Sequence, residues 1–111
     1  MADLRELTVK VGQVSDIYAE RNGIARDDDW YALKLQEELG ELMADYLRLT
    51  GRGRAKGKEP AVIAQTMADE AADVLAQLLL FCQRHGIDIE AALERKWLRF
   101  LDKTKTEPVT R

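Results

Sequence analysis

The sequence predicts an all-α protein, an antiparallel four-helix bundle completed by a partner subunit. Apolar residues recur at spacings of three and four through most of the chain, and no segment alternates with period two for long enough to make a strand. Connections between the periodic segments are short, which favours antiparallel neighbours. The run VLAQLLLFC at residues 74–82 contains one polar residue, Gln77. A helix that is apolar nearly all round is covered nearly all round. In a chain of 111 residues, some of that cover is expected from a second copy.

Residues 3–22 read as an amphipathic helix with Leu4, Leu7, Val11, Val14 and Tyr18 on one stripe. Asn22-Gly23 stops it, because glycine takes the left-handed position at low cost. The run Asp27-Asp28-Asp29 suits the start of the second helix, where a side-chain oxygen caps free N–H groups and negative charge meets the positive end of the dipole. That helix runs from about residue 30 to 50, with Leu35, Leu39, Leu42, Tyr46 and Leu49 as its stripe. Glu37, Glu38 and Glu41 share a neighbouring arc, with Asp45 one turn on. A solvated acidic face accounts for Glu37 and Asp45 but poorly for Glu38, which lies closest to the stripe.

Residues 51–58, GRGRAKGK, form a loop with three glycines and four cations. It reads either as a flexible linker or as a basic flap in which Arg54 and Lys56 close on a polyphosphate. Its spacing is not that of a Walker A loop. Glu59-Pro60 opens the third helix, with proline where its missing N–H does no harm, and His85-Gly86 closes it. Ile63, Met67, Val74, Leu78 and Phe81 share one face of this helix. Glu70 projects from within that face and Asp73 from its edge. His85, the only histidine, reads as a C-terminal dipole partner or a packed side chain. Asp88 caps a fourth helix with the stripe Ile89, Leu93, Trp97 and Phe100, flanked by Lys96, with Arg99 and Lys103 beyond. Residues 104–111 are polar and expected to fray. The whole chain, 1–111, reads as one domain.

Charged residues make up 33% of the chain and hydrophobic ones 46%, a globular balance. The net charge of −3 argues against direct nucleic-acid binding. No apolar run is long enough for a membrane span, and Asp3, Arg5 and Glu6 break up any signal-peptide pattern. The single cysteine, Cys82, cannot pair within the chain and is expected to pack as a small hydrophobe. A cytoplasmic protein is expected.

The acids carry the chemistry. Glu38 and Glu41 form one i,i+3 pair, Glu70 and Asp73 another, so the members of each pair point the same way from adjacent turns. If the second and third helices are antiparallel neighbours, the pairs meet between them. Four carboxylates at close range require cations. Oxygen-only ligation suits Mg²⁺, with Mn²⁺ as a substitute. Such a site is suited to polyphosphate hydrolysis, with metal neutralising phosphate charge and acidifying a bound water, and Glu37 or Glu41 spare to orient or deprotonate that water. A di-iron centre would need Glu-x-x-His pairs, which are absent. Trp30 and Tyr31, at the start of the second helix, read either as a nucleobase stacking pair or as a staple fixing the helix start.

Three segments resemble the MazG-like nucleotide pyrophosphohydrolases: KLQEELGEL at residues 34–42, ADEAADVL at 68–75 and GIDIEAALERK at 86–96. The resemblance spans roughly residues 25 to 101. It implies an all-α enzyme that cleaves a nucleoside triphosphate, deoxy or non-canonical, to monophosphate and pyrophosphate with Mg²⁺. It implies Glu38, Glu41, Glu70 and Asp73 as metal ligands, with Glu37 supporting or activating water. Lys96 matches a phosphate-contacting lysine, and Lys34, which opens the first segment, is counted with the substrate contacts. It also implies a homodimer, or a tetramer built from dimers. Many relatives carry an asparagine a few residues after that lysine, where this chain has Trp97-Leu98-Arg99-Phe100; Arg99 is the candidate replacement. The alternative to an enzyme is a helical interaction module whose acidic faces bind a partner or structural cations.

Overall fold

A computed structural model describes residues 3–101. It is all-helical: α1 (Leu4–Asn22), α2 (Asp28–Leu49), α3 (Pro60–Arg84), α4 (Ile89–Lys96) and a 3₁₀ turn over Leu98–Leu101. The helix ends follow the sequence signals. The carboxylate of Asp3 accepts from the Glu6 N–H, that of Asp27 from Trp30 and that of Asp88 from Ala91. Of the three consecutive aspartates, Asp27 is therefore the cap. Gly23, with φ of 62°, ends α1 in the left-handed region.

The central unit is the pair α2 and α3. They are antiparallel: Arg84, at the end of α3, reaches Asp28, at the start of α2, at 2.7 Å. α1 packs on α3, where Gly12 lies so close to Gln83 that an added Cβ would sit 3.1 Å from its amide oxygen. α4 is short and rests mainly on α1. Arg5 joins the two by bridging Asp88 and Glu90, at 2.9 Å each. Among the described residues the architecture is three long helices, a short one and a 3₁₀ turn.

The core is small. Ala19, Tyr31, Ile63, Leu79, Leu80 and Cys82 are buried. Two predicted stripes are turned relative to the burial. Val14 and Tyr18 of α1 are 66% and 52% exposed, and Leu39, Tyr46 and Leu49 of α2 are also exposed. The buried positions of α2 are Tyr31, Glu38 and Asp45, flanked by half-buried Leu35 and Leu42. The apolar content of α2 extends over two adjacent faces, so periodicity alone could not say which one meets α3. Asp45 is likewise not solvated: it is 6% exposed and held by Arg48.

The fourth helix is shorter than its stripe suggested. After Lys96 the hydrogen bonds tighten from the α to the 3₁₀ pattern, with the Phe100 N–H donating to the Trp97 carbonyl. No glycine or proline marks that change in the sequence. The first half of the 51–58 loop is tied down. The Arg52 and Gly53 N–H groups donate to the Leu47 carbonyl at 2.8 and 2.9 Å, and the Arg48 Nε donates to the Arg54 carbonyl. His85 caps α3 with its ring against Phe81, centroids 4.6 Å apart. The expected fraying of 104–111 and the placement of Lys103 lie outside the described residues. Among the described residues, no helix is long and apolar enough to cross a membrane.

Candidate functional site

The site forms at mid-length between α2 and α3. Glu38 and Glu41 project from adjacent turns of α2, and Glu70 meets them from α3. One carboxylate oxygen from each lies within 4.8 Å of the other two. Glu38 is buried, Glu70 half-buried and Glu41 exposed, so the cluster opens to solvent through Glu41. The second oxygens of Glu38 and Glu70 are buried without a hydrogen-bond partner. Buried polar groups are almost always satisfied, so two orphaned acceptors side by side mark a place that calls for a positive charge or donors.

The electrostatics agree. Burial pushes the Glu70 pKa up, and the charges of Glu41, Asp73 and Glu38 push it further, to about 7. Glu38 is raised as well, first by burial and then by the charges of Asp73 and Glu41, with Lys34 opposing. Lys34 Nζ lies 3.6 Å from Glu38 and 3.4 Å from Glu37. A hard divalent cation fits this oxygen-only donor set. Glu38, Glu41 and Glu70 would hold it, with Asp73 alongside.

Next to the acids lies a cavity of about 380 Å³. It is lined by Trp30, Lys34 and Glu38 of α2, by Asp73, Ala76, Gln77 and Leu80 of α3, and by Val11, Val14, Ser15 and Tyr18 of α1. The Gln77 side-chain oxygen is buried there without a partner.

The expected residues thus divide. Glu38, Glu41 and Glu70 come together. Asp73, Lys34 and Trp30 line the adjoining cavity. Glu37 is exposed and paired with Lys34. Tyr31 is not a cavity residue: it is buried edge-on to Trp30, with the Arg26 and Arg84 guanidiniums 6.0 and 5.4 Å from its ring centroid. It serves as the staple. Lys96, Arg99, Arg54 and Lys56 do not line the cavity. Sequence reasoning did not assign Tyr18 or Gln77 to the site. Tyr18 was placed on a core stripe. The signal for Gln77 was present, as the one polar residue in an apolar run. In comparisons with known proteins, no family model matches the chain, and no curated protein or solved structure does.

The raised Glu70 pKa gives a pH dependence of definite sign. In the unfolded chain a glutamate titrates near ~4.3, whereas Glu70 in the fold titrates at about 7. Between those values the folded state binds more protons, so its stability falls as pH rises and stays low above the folded pKa. The thermal midpoint of the metal-free protein should therefore drop between about pH 5 and about pH 8, with Glu70 contributing to the fall. Millimolar Mg²⁺ should raise the midpoint more at the upper end than at the lower, and Glu70→Gln should weaken both effects. Calorimetric melting with and without chelator checks this; a midpoint indifferent to Mg²⁺ at every pH would contradict a preformed site.

Proposed function

We propose that the protein is a Mg²⁺-dependent nucleoside-triphosphate pyrophosphohydrolase of the MazG-like kind, with Mn²⁺ as a possible substitute metal. The observation that carries this reading is the convergence of Glu38, Glu41 and Glu70, with two orphaned oxygens, beside a cavity that presents an aromatic ring and a lysine. Water attacks the α-phosphorus, the bond from that phosphorus to the bridging oxygen breaks, and monophosphate and pyrophosphate leave. When bound, the metal neutralises phosphate charge and makes a coordinated water more acidic. Glu38, Glu41, Glu70 and Asp73 would hold it. Glu37 or Glu41, both exposed, would orient the attacking water or accept its proton. Glu37 holds Lys34 at the cavity wall, where its ammonium can meet the phosphates. A cytoplasmic location goes with this reading, because the lone Cys82 is a buried free thiol.

The same proposal includes a homo-oligomer. Ala32, Leu33, Gln36, Leu39, Gly40, Met43 and Leu47 follow one another around an arc of α2 without a single charge. Leu33 is 69% exposed, Met43 46% and Leu39 41%. A monomer has no use for such a face, whereas a C₂ dimer can bury it against itself. Lys96 and Arg99 enter the proposal as phosphate contacts brought in across the assembled interface.

Two measurements check these points. Pyrophosphate release should appear with Mg²⁺ for some members of a panel of canonical and modified triphosphates, and Glu38→Gln or Glu70→Gln should lower it by roughly 100-fold or more while the helical spectrum is kept. Wild-type protein releasing no pyrophosphate from the whole panel would favour the interaction-module alternative. Sedimentation equilibrium should give a dimer or tetramer, and Leu33→Glu with Met43→Glu should shift it toward monomer; a wild-type monomer at micromolar concentration would remove the oligomer.

A further inference from the structure

We propose that Gln77 reads the nucleobase, and that the cavity between α1, α2 and α3 is a base-discriminating pocket. This inference rests on the pyrophosphohydrolase reading above and deepens it.

The cavity lining has two characters: acidic at Glu38 and Asp73, and apolar at Trp30, Tyr18, Val14 and Leu80. Of the neutral and cationic side chains that line it, Ser15 and Lys34 are already engaged. The Ser15 hydroxyl accepts from Arg26 Nη1 at 2.7 Å, and Lys34 is paired with Glu37 and Glu38. Gln77 is different: its amide oxygen is buried and no group among the described residues donates to it. An unsatisfied buried amide is destabilising. An apolar residue at this place would continue the run on either side of it, so the amide is best explained by a ligand that completes it.

The position fixes the kind of ligand. Gln77 follows Glu70 by two turns and Asp73 by one on the same edge of α3, which sets it about 10 Å along the helix from Glu70. With the reacting phosphate at the acids, a sugar fits between, and the base reaches Gln77. Trp30 and Tyr18 offer aromatic surface for the base's face. A glutamine amide presents one acceptor and two donors, which matches the neighbouring N–H donor and acceptor on a nucleobase edge. Sites that hydrogen-bond a substrate group discriminate strongly against analogues that leave them unpaired.

The test uses full-length protein with Trp97→Phe, so that Trp30 is the only tryptophan. Trp30 fluorescence is titrated with the nucleoside monophosphates of adenine, guanine, cytosine and uracil, without metal. The wild-type pocket should rank these four, with roughly tenfold or more between the tightest and the weakest. Gln77→Leu should compress the ranking to within about threefold while melting no lower than the wild type, because no protein hydrogen bond to the amide oxygen is lost. Gln77→Glu, which can only accept, should move the ranking toward guanine, whose N1–H and 2-amino group are neighbouring donors. An unaltered ranking in Gln77→Leu, or no response of Trp30 to any monophosphate, would overturn the inference. Pyrophosphate release on the same preparations separates the two claims. Hydrolysis with an unaltered ranking sinks the base-reading role and spares the enzyme. Base-ranked binding without hydrolysis does the reverse.

Discussion

The mutual repulsion of three carboxylates held between two helices is the constraint on which the rest of this structure depends. Glu38, Glu41 and Glu70 stand where α2 and α3 meet, at the place a bundle ordinarily fills with leucine. Taking charged oxygens out of water is costly, roughly several kcal/mol each when unpaired. Among the described residues the cation paired with them is Lys34, which is shared between Glu37 and Glu38. Burial and the charges of Glu41, Asp73 and Glu38 therefore push the Glu70 pKa up to about 7. A fold optimised for stability alone would not keep this arrangement, so the cluster is the natural place to seek function.

The surroundings make sense as support for that cluster. Tyr31, fixed between Arg26 and Arg84, anchors the start of α2 and so aims Trp30 at the cavity. The bridge from Arg84 to Asp28 holds the two helices in register at that end. At the other end, the Leu47 carbonyl gathers the loop N–H groups of Arg52 and Gly53. The acids thus sit on the best-braced pair of helices. The wall contributed by α1 is lighter, with Val14 and Tyr18 largely exposed. That is the side through which a ligand can enter.

Much of this was legible in the sequence. Helix limits followed from local chemistry at Gly23, the Asp27–Asp29 run, Pro60 and Asp88, whereas the cap at Asp3 was seen only in the structure. The pairing of Glu38 and Glu41 with Glu70 followed from i,i+3 spacing and a short connection. Other features were not legible, for two physical reasons. Where a helix is apolar on two faces, as α2 is, periodicity cannot choose the buried one, so Leu39 and Tyr46 were placed inward and Asp45 outward. Where a residue acts through an unmet hydrogen bond, as Gln77 does, its type alone does not reveal that the bond is missing. The division of Trp30 from Tyr31, one toward the cavity and the other toward the core, also needed the geometry.

The central claim is that the acid cluster holds protons in the free protein and exchanges them for a divalent cation. Isothermal titration of Mg²⁺ into metal-free protein at pH 7, repeated in buffers of different ionisation enthalpy, measures the protons released on binding. With Glu70 titrating at about 7, binding should release about half a proton at that pH, less as pH rises above it, and measurably fewer from Glu70→Gln. Mg²⁺ binding without proton release at pH 7, or release unchanged by Glu70→Gln, would contradict the account.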